Sequence, residues 1–199
     1  RMLICSVHPL PYLANPADYF AAIRHAPGAV LLDSGRPEAE RGRYDLMSAW
    51  PLEELWVQPQ ESGRDFLQRL REHLARLGRA QIPAPHELPF AGGLMGYLSY
   101  DFGRKLEPLP ALAHDDLQLP DARLGLYAWA LISDHQHASS QLVFHPSLEM
   151  SERERLINLF TRLRAAPVAP FSLKHPMQPD LSAQQYQQAL TRIHDYIQA

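Results

Sequence analysis

The sequence predicts an α+β fold, and three features of it carry that prediction. Apolar or alternating runs of strand length fall close together along the chain, separated by turn residues. Two of them are joined by a short polar turn, the arrangement of an antiparallel hairpin. Capped amphipathic helices are inserted between strands without the regular strand–helix–strand repeat that builds a parallel sheet.

The first element is a helix. Asn15 is a suitable N-cap, Pro16 suits the first helical position and Asp18 the first turn. Tyr19, Phe20 and Ile23 give it an apolar face, and Pro27-Gly28 ends it. Ala29–Asp33 (AVLLD) reads as a short buried strand. A charged loop, Gly35–Gly42, leads to Arg43–Trp50. There Tyr44, Leu46, Ser48 and Trp50 alternate with Asp45, Met47 and Ala49. Pro51 separates this run from a strand at Glu54–Gln58.

Ser62–Leu77 is a strongly marked helix. Ser62 and Asp65 form a capping-box pattern, and Phe66, Leu67, Leu70, Leu74 and Leu77 recur at helical spacing. Asp65–Arg69 and Glu72–Arg76 are spaced as i,i+4 ion pairs, and Gly78 closes the helix. Ala91–Asp101 and Arg123–Ser133 read as strands. The turn Asp134–Ala138 joins the second of these to Gln141–His145. Ser151 and Glu154 are a second capping box, ahead of Leu156, Ile157, Phe160 and Leu163 on one face. Four prolines punctuate a connector from Pro167 to Pro179. Ser182 and Gln185 then cap a last helix with Tyr186, Leu190, Ile193 and Ile197 in line. That helix has no stop signal and the chain opens on Arg1, so it is expected to be cut from something longer.

Composition narrows the function. Hydrophobic residues make up 46% and charged residues 21% of 199 residues, with a net charge of −3. This is a globular composition with no basic footprint for nucleic acid and no polybasic membrane patch. No apolar run is long enough for a membrane span, and residues 1–7 are too short and mixed for a signal peptide. The lone cysteine, Cys5, excludes an internal disulfide, favours a reducing, cytoplasmic setting and reads as a small buried hydrophobe.

Metal chemistry finds no support in residue spacing. His135 and His137 are the nearest approach to a ligand pair, and flanking one glutamine in a hairpin turn they read as solvated turn residues. The adjacent carboxylates Asp115 and Asp116 are poorly placed for acid–base work. The run Pro89-Phe90-Ala91-Gly92-Gly93-Leu94-Met95-Gly96-Tyr97 matches neither the dinucleotide fingerprint nor the P-loop. Glycines in a strand-like run mark bulges or close backbone approach.

Five stretches, taken in order, nevertheless form a pattern: LLDSG (31–35), GRYDLMSAWP (42–51), LPFAGGLMGYLSYDFGRKLEPLP (88–110), LPDARLGLYAWALISDHQ (119–136) and QYQQALTRIHDYIQA (185–199). Together they resemble the N-terminal half of the aminodeoxychorismate synthase component I family, the large subunit of para-aminobenzoate synthase, within the anthranilate synthase component I superfamily. The glycine block is shared with anthranilate synthase. The aspartate of GRYD and the WALISDHQ strand look more like the folate-pathway family.

The resemblance implies that the strands form part of a layered β-sandwich. It implies an N-terminal domain over residues 1–166, a Pro-rich connector over 167–181, and at 182–199 the first helix of a chorismate-binding domain. The complete subunit would aminate chorismate to 4-amino-4-deoxychorismate with magnesium as cofactor and ammonia from a glutamine amidotransferase partner. The catalytic and metal-binding residues would lie beyond residue 199, leaving this chain inactive alone. The resemblance also implies a tryptophan pocket at Ser34, Arg41, Gly42, Arg43 and Tyr44. On the residues alone, Ser34-Gly35 is equally a turn, Arg43 a solvated strand end and Tyr44 a core residue. Two alternatives stand beside this reading. One is an anthranilate synthase large subunit with tryptophan feedback; the other is a free-standing amino-acid-binding module.

Overall fold

The computed structural model describes residues 2–33, 43–98 and 122–162. In chain order their elements are β1 (Leu3–Ile4), β2 (Ser6–Leu10), α1 (Pro16–Phe20), β3 (Val30–Asp33), β4 (Tyr44–Ser48), β5 (Glu53–Trp56), α2 (Gly63–Leu77), β6 (Ala80–Gln81), β7 (Gly93–Leu98), β8 (Ala122–Tyr127), β9 (Trp129–Asp134), β10 (Ser139–Phe144) and α3 (Met150–Arg162). A five-stranded antiparallel sheet has the order β2-β10-β9-β4-β3, a three-stranded antiparallel sheet the order β5-β8-β7, and β1 pairs with β6 in parallel. Strands that are mostly antiparallel, with helices set between them, make this an α+β fold, as the sequence predicts.

The five-stranded sheet is buried on both faces, and β4 shows why the alternation of Arg43–Trp50 is informative. Met47 and Ala49 point to one core, shared with Leu131, Leu142, Trp129 and Phe144 and covered by Tyr19, Phe20 and Ile23 from the α1 region and Leu156 and Phe160 from α3. Leu46 points to the other, shared with Ile132 and Val143 and covered by Met95 of β7 and Tyr127 of β8. The period-2 pattern thus separates two cores rather than a core and solvent.

The helices follow their sequence signals closely. The Asn15 side chain accepts from the Ala17 N–H at 3.0 Å, and Pro16 stands in the first turn, where a missing N–H costs nothing. Ser62 caps α2 by accepting from the Asp65 N–H at 3.0 Å, and Phe66, Leu67 and Leu70 are buried. Gly78 closes α2 at φ 88°, donating to the Leu74 carbonyl.

Several expectations are corrected. Arg123–Ser133 is not one strand: it divides at Ala128 into β8 and β9, which belong to different sheets. The Tyr127 hydroxyl donates to the Gly28 carbonyl at 2.6 Å on one side of the break. Trp129 Nε1 donates to the Ala49 carbonyl at 2.9 Å on the other, and His145 N–H donates to the Ala128 carbonyl between them. The chain passes from one sheet to the other here, a break invisible in an unbroken apolar run.

The expected buried strand at 29–33 is β3, half-buried and, among the described residues, an edge strand paired with β4 alone. Arg69 does not pair with Asp65. It reaches back to Glu61 with two hydrogen bonds (3.0 and 2.9 Å) and to the Trp56 carbonyl at 2.7 Å, satisfying more donors than one i,i+4 contact would. Arg76 meets His73 rather than Glu72. Ser151 lies within the first turn of α3, whose first amides donate to the Glu149 carbonyl.

The strands β1 and β2 carry no clear sequence signal. The proline in β2 is tolerated because β2 is an edge among the described strands. Cys5 between them is 3% exposed, its thiol donating to the Ala91 carbonyl at 3.2 Å. Burial pushes that thiol up to about 11 against a weaker opposing pull from Arg153, which leaves it unreactive. The Gly35–Gly42 loop, Asp115-Asp116, Leu163, the connector 167–181 and the helix from 182 lie outside the described residues.

Candidate functional site

The glycine block resolves as a packing feature. Gly96 has φ 151°, and a Cβ there would stand 2.3 Å from the Arg123 carbonyl oxygen of the paired strand. No side chain fits that approach, which is the close backbone contact expected from the sequence.

Polar chemistry gathers at one end of the five-stranded sheet, where β4 begins and β9 turns into β10. The register sets it: Tyr44 is opposite Asp134, and Asp45 opposite Ser133. On the helix-covered face, His135 Nε2 meets Asp45 Oδ2 at 2.5 Å and the Tyr12 hydroxyl meets His135 Nδ1 at 2.6 Å. Beside them Ser133 and Ser140 share a buried hydrogen bond of 2.8 Å. His135 is 9% exposed, so the reading of both turn histidines as solvated is corrected for this one; His137, at 62%, fits it. The signal that could have found His135 is Asp45, a carboxylate interrupting an apolar strand and in need of a buried partner.

On the neighbouring side, Asp134 holds Arg43. Arg43 Nε donates to Oδ1 at 3.3 Å and Nη2 to Oδ2 at 3.2 Å, while His137 Nδ1 lies 2.8 Å from Oδ2. Backbone N–H groups of Gln136 and His137 also donate to Oδ1. Burial works to raise the Asp134 pKa, but the hydrogen bonds from Arg43, His137 and the turn amides outweigh it and hold the carboxyl below its ordinary range. The Arg43 guanidinium stands 4.7 Å from the centre of the Tyr44 ring, and the Tyr44 hydroxyl donates to the Glu87 carbonyl at 3.2 Å.

Of the residues predicted from sequence to line a pocket, Arg43 and Tyr44 stand here side by side, and Ser34, Arg41 and Gly42 lie outside the described residues. Arg43 is a partly solvated strand end, its side chain 36% exposed, that is also hydrogen-bonded to Asp134. Asp134, His135, Asp45 and Tyr12 were not anticipated as its surroundings. At the opposite end of β3 a separate cleft of ≈ 620 Å³ opens between the α1–β3 connector and the three-stranded sheet, lined among others by Gly28, Val30, Trp56, Met95, Arg123 and Tyr127. Among the described residues, no group of three or more His, Cys, Asp or Glu is placed to hold a metal ion, and no helix is long and apolar enough to cross a membrane.

Comparison with known proteins supplies the context for this geometry. A family model described as chorismate binding enzyme matches residues 27–199. Aminodeoxychorismate synthase component 1 of Klebsiella aerogenes is 34% identical over 98% of this chain and 45% of its own length. The protein of the same name from Escherichia coli (strain K12) is 32% identical over 90% of this chain and 41% of its own. Anthranilate synthase component 1 of Streptomyces coelicolor is 31% identical over 71% of this chain and 27% of its own. The chain therefore spans less than half the length of these relatives.

Proposed function

Because the chain belongs to the chorismate binding enzyme family, we propose that it is the N-terminal part of a subunit that aminates chorismate to 4-amino-4-deoxychorismate. That reaction leads to para-aminobenzoate and folate. In this proposal a glutamine amidotransferase partner supplies the ammonia and the enzyme works in the cytoplasm. The observation that carries it is coverage: likeness to aminodeoxychorismate synthase component 1 runs through 98% of the chain, against 71% for the anthranilate synthase of S. coelicolor.

The described residues supply a scaffold in this reading. Two sheets share the core around Leu46, Met95, Tyr127 and Ile132, which supports a layered sandwich completed by the chorismate-binding domain. Residues 1–166 are proposed as the N-terminal domain, 167–181 as a connector and 182–199 as the first helix of the next domain. The described residues do not fit a magnesium site, so the ligands of the proposed magnesium would lie outside them. A tryptophan pocket at Ser34, Arg41, Gly42, Arg43 and Tyr44 belongs to the same proposal. It is supported by the half-exposed guanidinium of Arg43 against the Tyr44 ring.

The test is to incubate the full-length protein with chorismate, ammonium and magnesium and identify the product by mass spectrometry. Aminodeoxychorismate is expected. Anthranilate would overturn the folate assignment in favour of the second reading, an anthranilate synthase with tryptophan feedback. The 199-residue chain alone is expected to turn over no chorismate, and turnover by it would refute the scaffold role.

A further inference from the structure

We propose that the cleft between the α1–β3 connector and the three-stranded sheet binds a planar aromatic acid that carries an amino group at the end of the ring opposite its carboxylate. The cleft measures ≈ 620 Å³, within the size range of small-molecule sites. Its sheet wall is set by register. Trp56 of β5 stands opposite Arg123 of β8, and Glu54 opposite Gly125; with a side-chain period of two, all four share one face. Gly125 leaves the middle of that face bare, since a Cβ there would stand 2.5 Å from the Tyr127 ring. The facing wall is pinned by the protein itself: the Tyr127 hydroxyl donates to the Gly28 carbonyl at 2.6 Å, and the Trp50 N–H to the Pro27 carbonyl at 2.8 Å. This site goes beyond the amination reading and does not depend on it.

Three side chains on the sheet wall supply the chemistry. Arg123 and Glu54 are exposed, and among the described residues neither makes a hydrogen bond or an ion pair. A guanidinium in that state offers parallel donors to a carboxylate. Trp56 is 45% exposed, and its indole face is an apolar platform for a ring. The Glu54 carboxylate repels a simple acid, so it selects a ligand that also brings a donor. Arg123 and Glu54 are diagonal neighbours across two strands, about 7–8 Å apart at the backbone. The acid and the donor of the ligand therefore belong at opposite ends of a ring rather than on adjacent atoms. Arg24 on the facing wall adds a second positive charge, so the cleft as a whole favours an acid. Burial first, and then the Glu54 charge, push the Tyr127 phenol up to about 12, which keeps its hydroxyl a donor to Gly28 at neutral pH.

The test is binding of 4-aminobenzoate, 2-aminobenzoate and benzoate to the full-length protein, measured by calorimetry. 4-Aminobenzoate is expected to bind tightest, because its amino group lies across the ring from the acid. Arg123→Ala should weaken it about ten- to hundredfold, the worth of hydrogen bonds to a charged group. Trp56→Ala should weaken it about two- to tenfold through the lost ring contact. In Glu54→Ala the three acids should bind alike, since the residue and the amino group are two sides of one contact. All three side chains are exposed at the cleft, so the thermal midpoint should barely move in any of these variants. No uptake of 4-aminobenzoate by the full-length protein would overturn the proposal. So would wild-type affinity in Arg123→Ala, or equal affinity for the three acids in the unsubstituted protein. The expected binding is the same whether the full-length protein makes aminodeoxychorismate or anthranilate, so failure of this site and failure of the functional reading are told apart by the product.

Discussion

The strand pair β4–β9 ends in two different ways. At one end Trp129 packs among Met47, Ala49 and Phe160, with its indole N–H on the Ala49 carbonyl and its own carbonyl taking the Ser48 hydroxyl at 2.7 Å. At the other end, five residues along, stands Asp134 at the end of β9 with His135 next to it, among Arg43, Asp45 and Tyr12. The first end is closed by apolar area, with its few polar atoms satisfied by backbone. The second is held by charge-assisted hydrogen bonds between side chains remote in sequence. Apolar burial is non-directional and contributes most to stability. Hydrogen bonds to charged groups contribute less net energy but fix angles. The apolar end is therefore expected to set how firmly the fold stands, and the polar end how finely the neighbouring groups are placed.

The largest test of that contrast is Trp129→Ala. It should cost about 3–5 kcal/mol, as removal of a buried aromatic does, read from urea unfolding. A loss below about 1 kcal/mol would mean that the corner where β8 becomes β9 is not held by the indole. Next comes Tyr12→Phe. It removes the hydroxyl on His135 and leaves a buried ring nitrogen short of a partner, for about 1–3 kcal/mol; a silent variant would show that the polar end is open to water. Ser48→Ala should cost about 0.5–1.5 kcal/mol, since one neutral hydrogen bond at the apolar end is lost while the packing remains. If it costs more than Trp129→Ala, the division of roles is wrong.

The smallest effect expected is on acid stability. The Asp134 carboxyl is held below its ordinary value of 3.8, so its contribution is present above that value and is lost as pH falls through the lower folded value. Unfolding midpoints taken from pH 5 downward should converge between the wild-type protein and Asp134→Asn at the acid end. Parallel curves would show that the Arg43–Asp134 pair contributes nothing that titrates.

How far the sequence reached depended on the distance over which each signal acts. Asn15 and Ser62 bond amides two and three residues away, so the starts of α1 and α2 were legible. So was the β9–β10 hairpin, whose turn lies between its two strands. The glycine block was rightly read as a close approach of two backbones, though not which backbone Gly96 meets. Arg69 was misassigned because two partners lay within reach, and only the fold brings Glu61 and the Trp56 carbonyl together around it. The candidate site was half legible. Arg43 and Tyr44 were named as a pair, but Asp134, His135 and Tyr12 reach this corner from 91 residues downstream and from the N-terminal segment.

By itself, the sequence determined the elements whose causes are local: two capped helices, a hairpin, strands of period 2, and the ordered motifs that resemble one enzyme family. Only the tertiary structure decided that the apolar run 123–133 serves two sheets, that β4 separates two cores, and that Arg43 is held by Asp134. Caps and periodicity are set by bonds and steric contacts within a few residues. The sharing of a run between sheets, and the partner of a buried charge, are set by which surfaces meet after the chain has closed on itself.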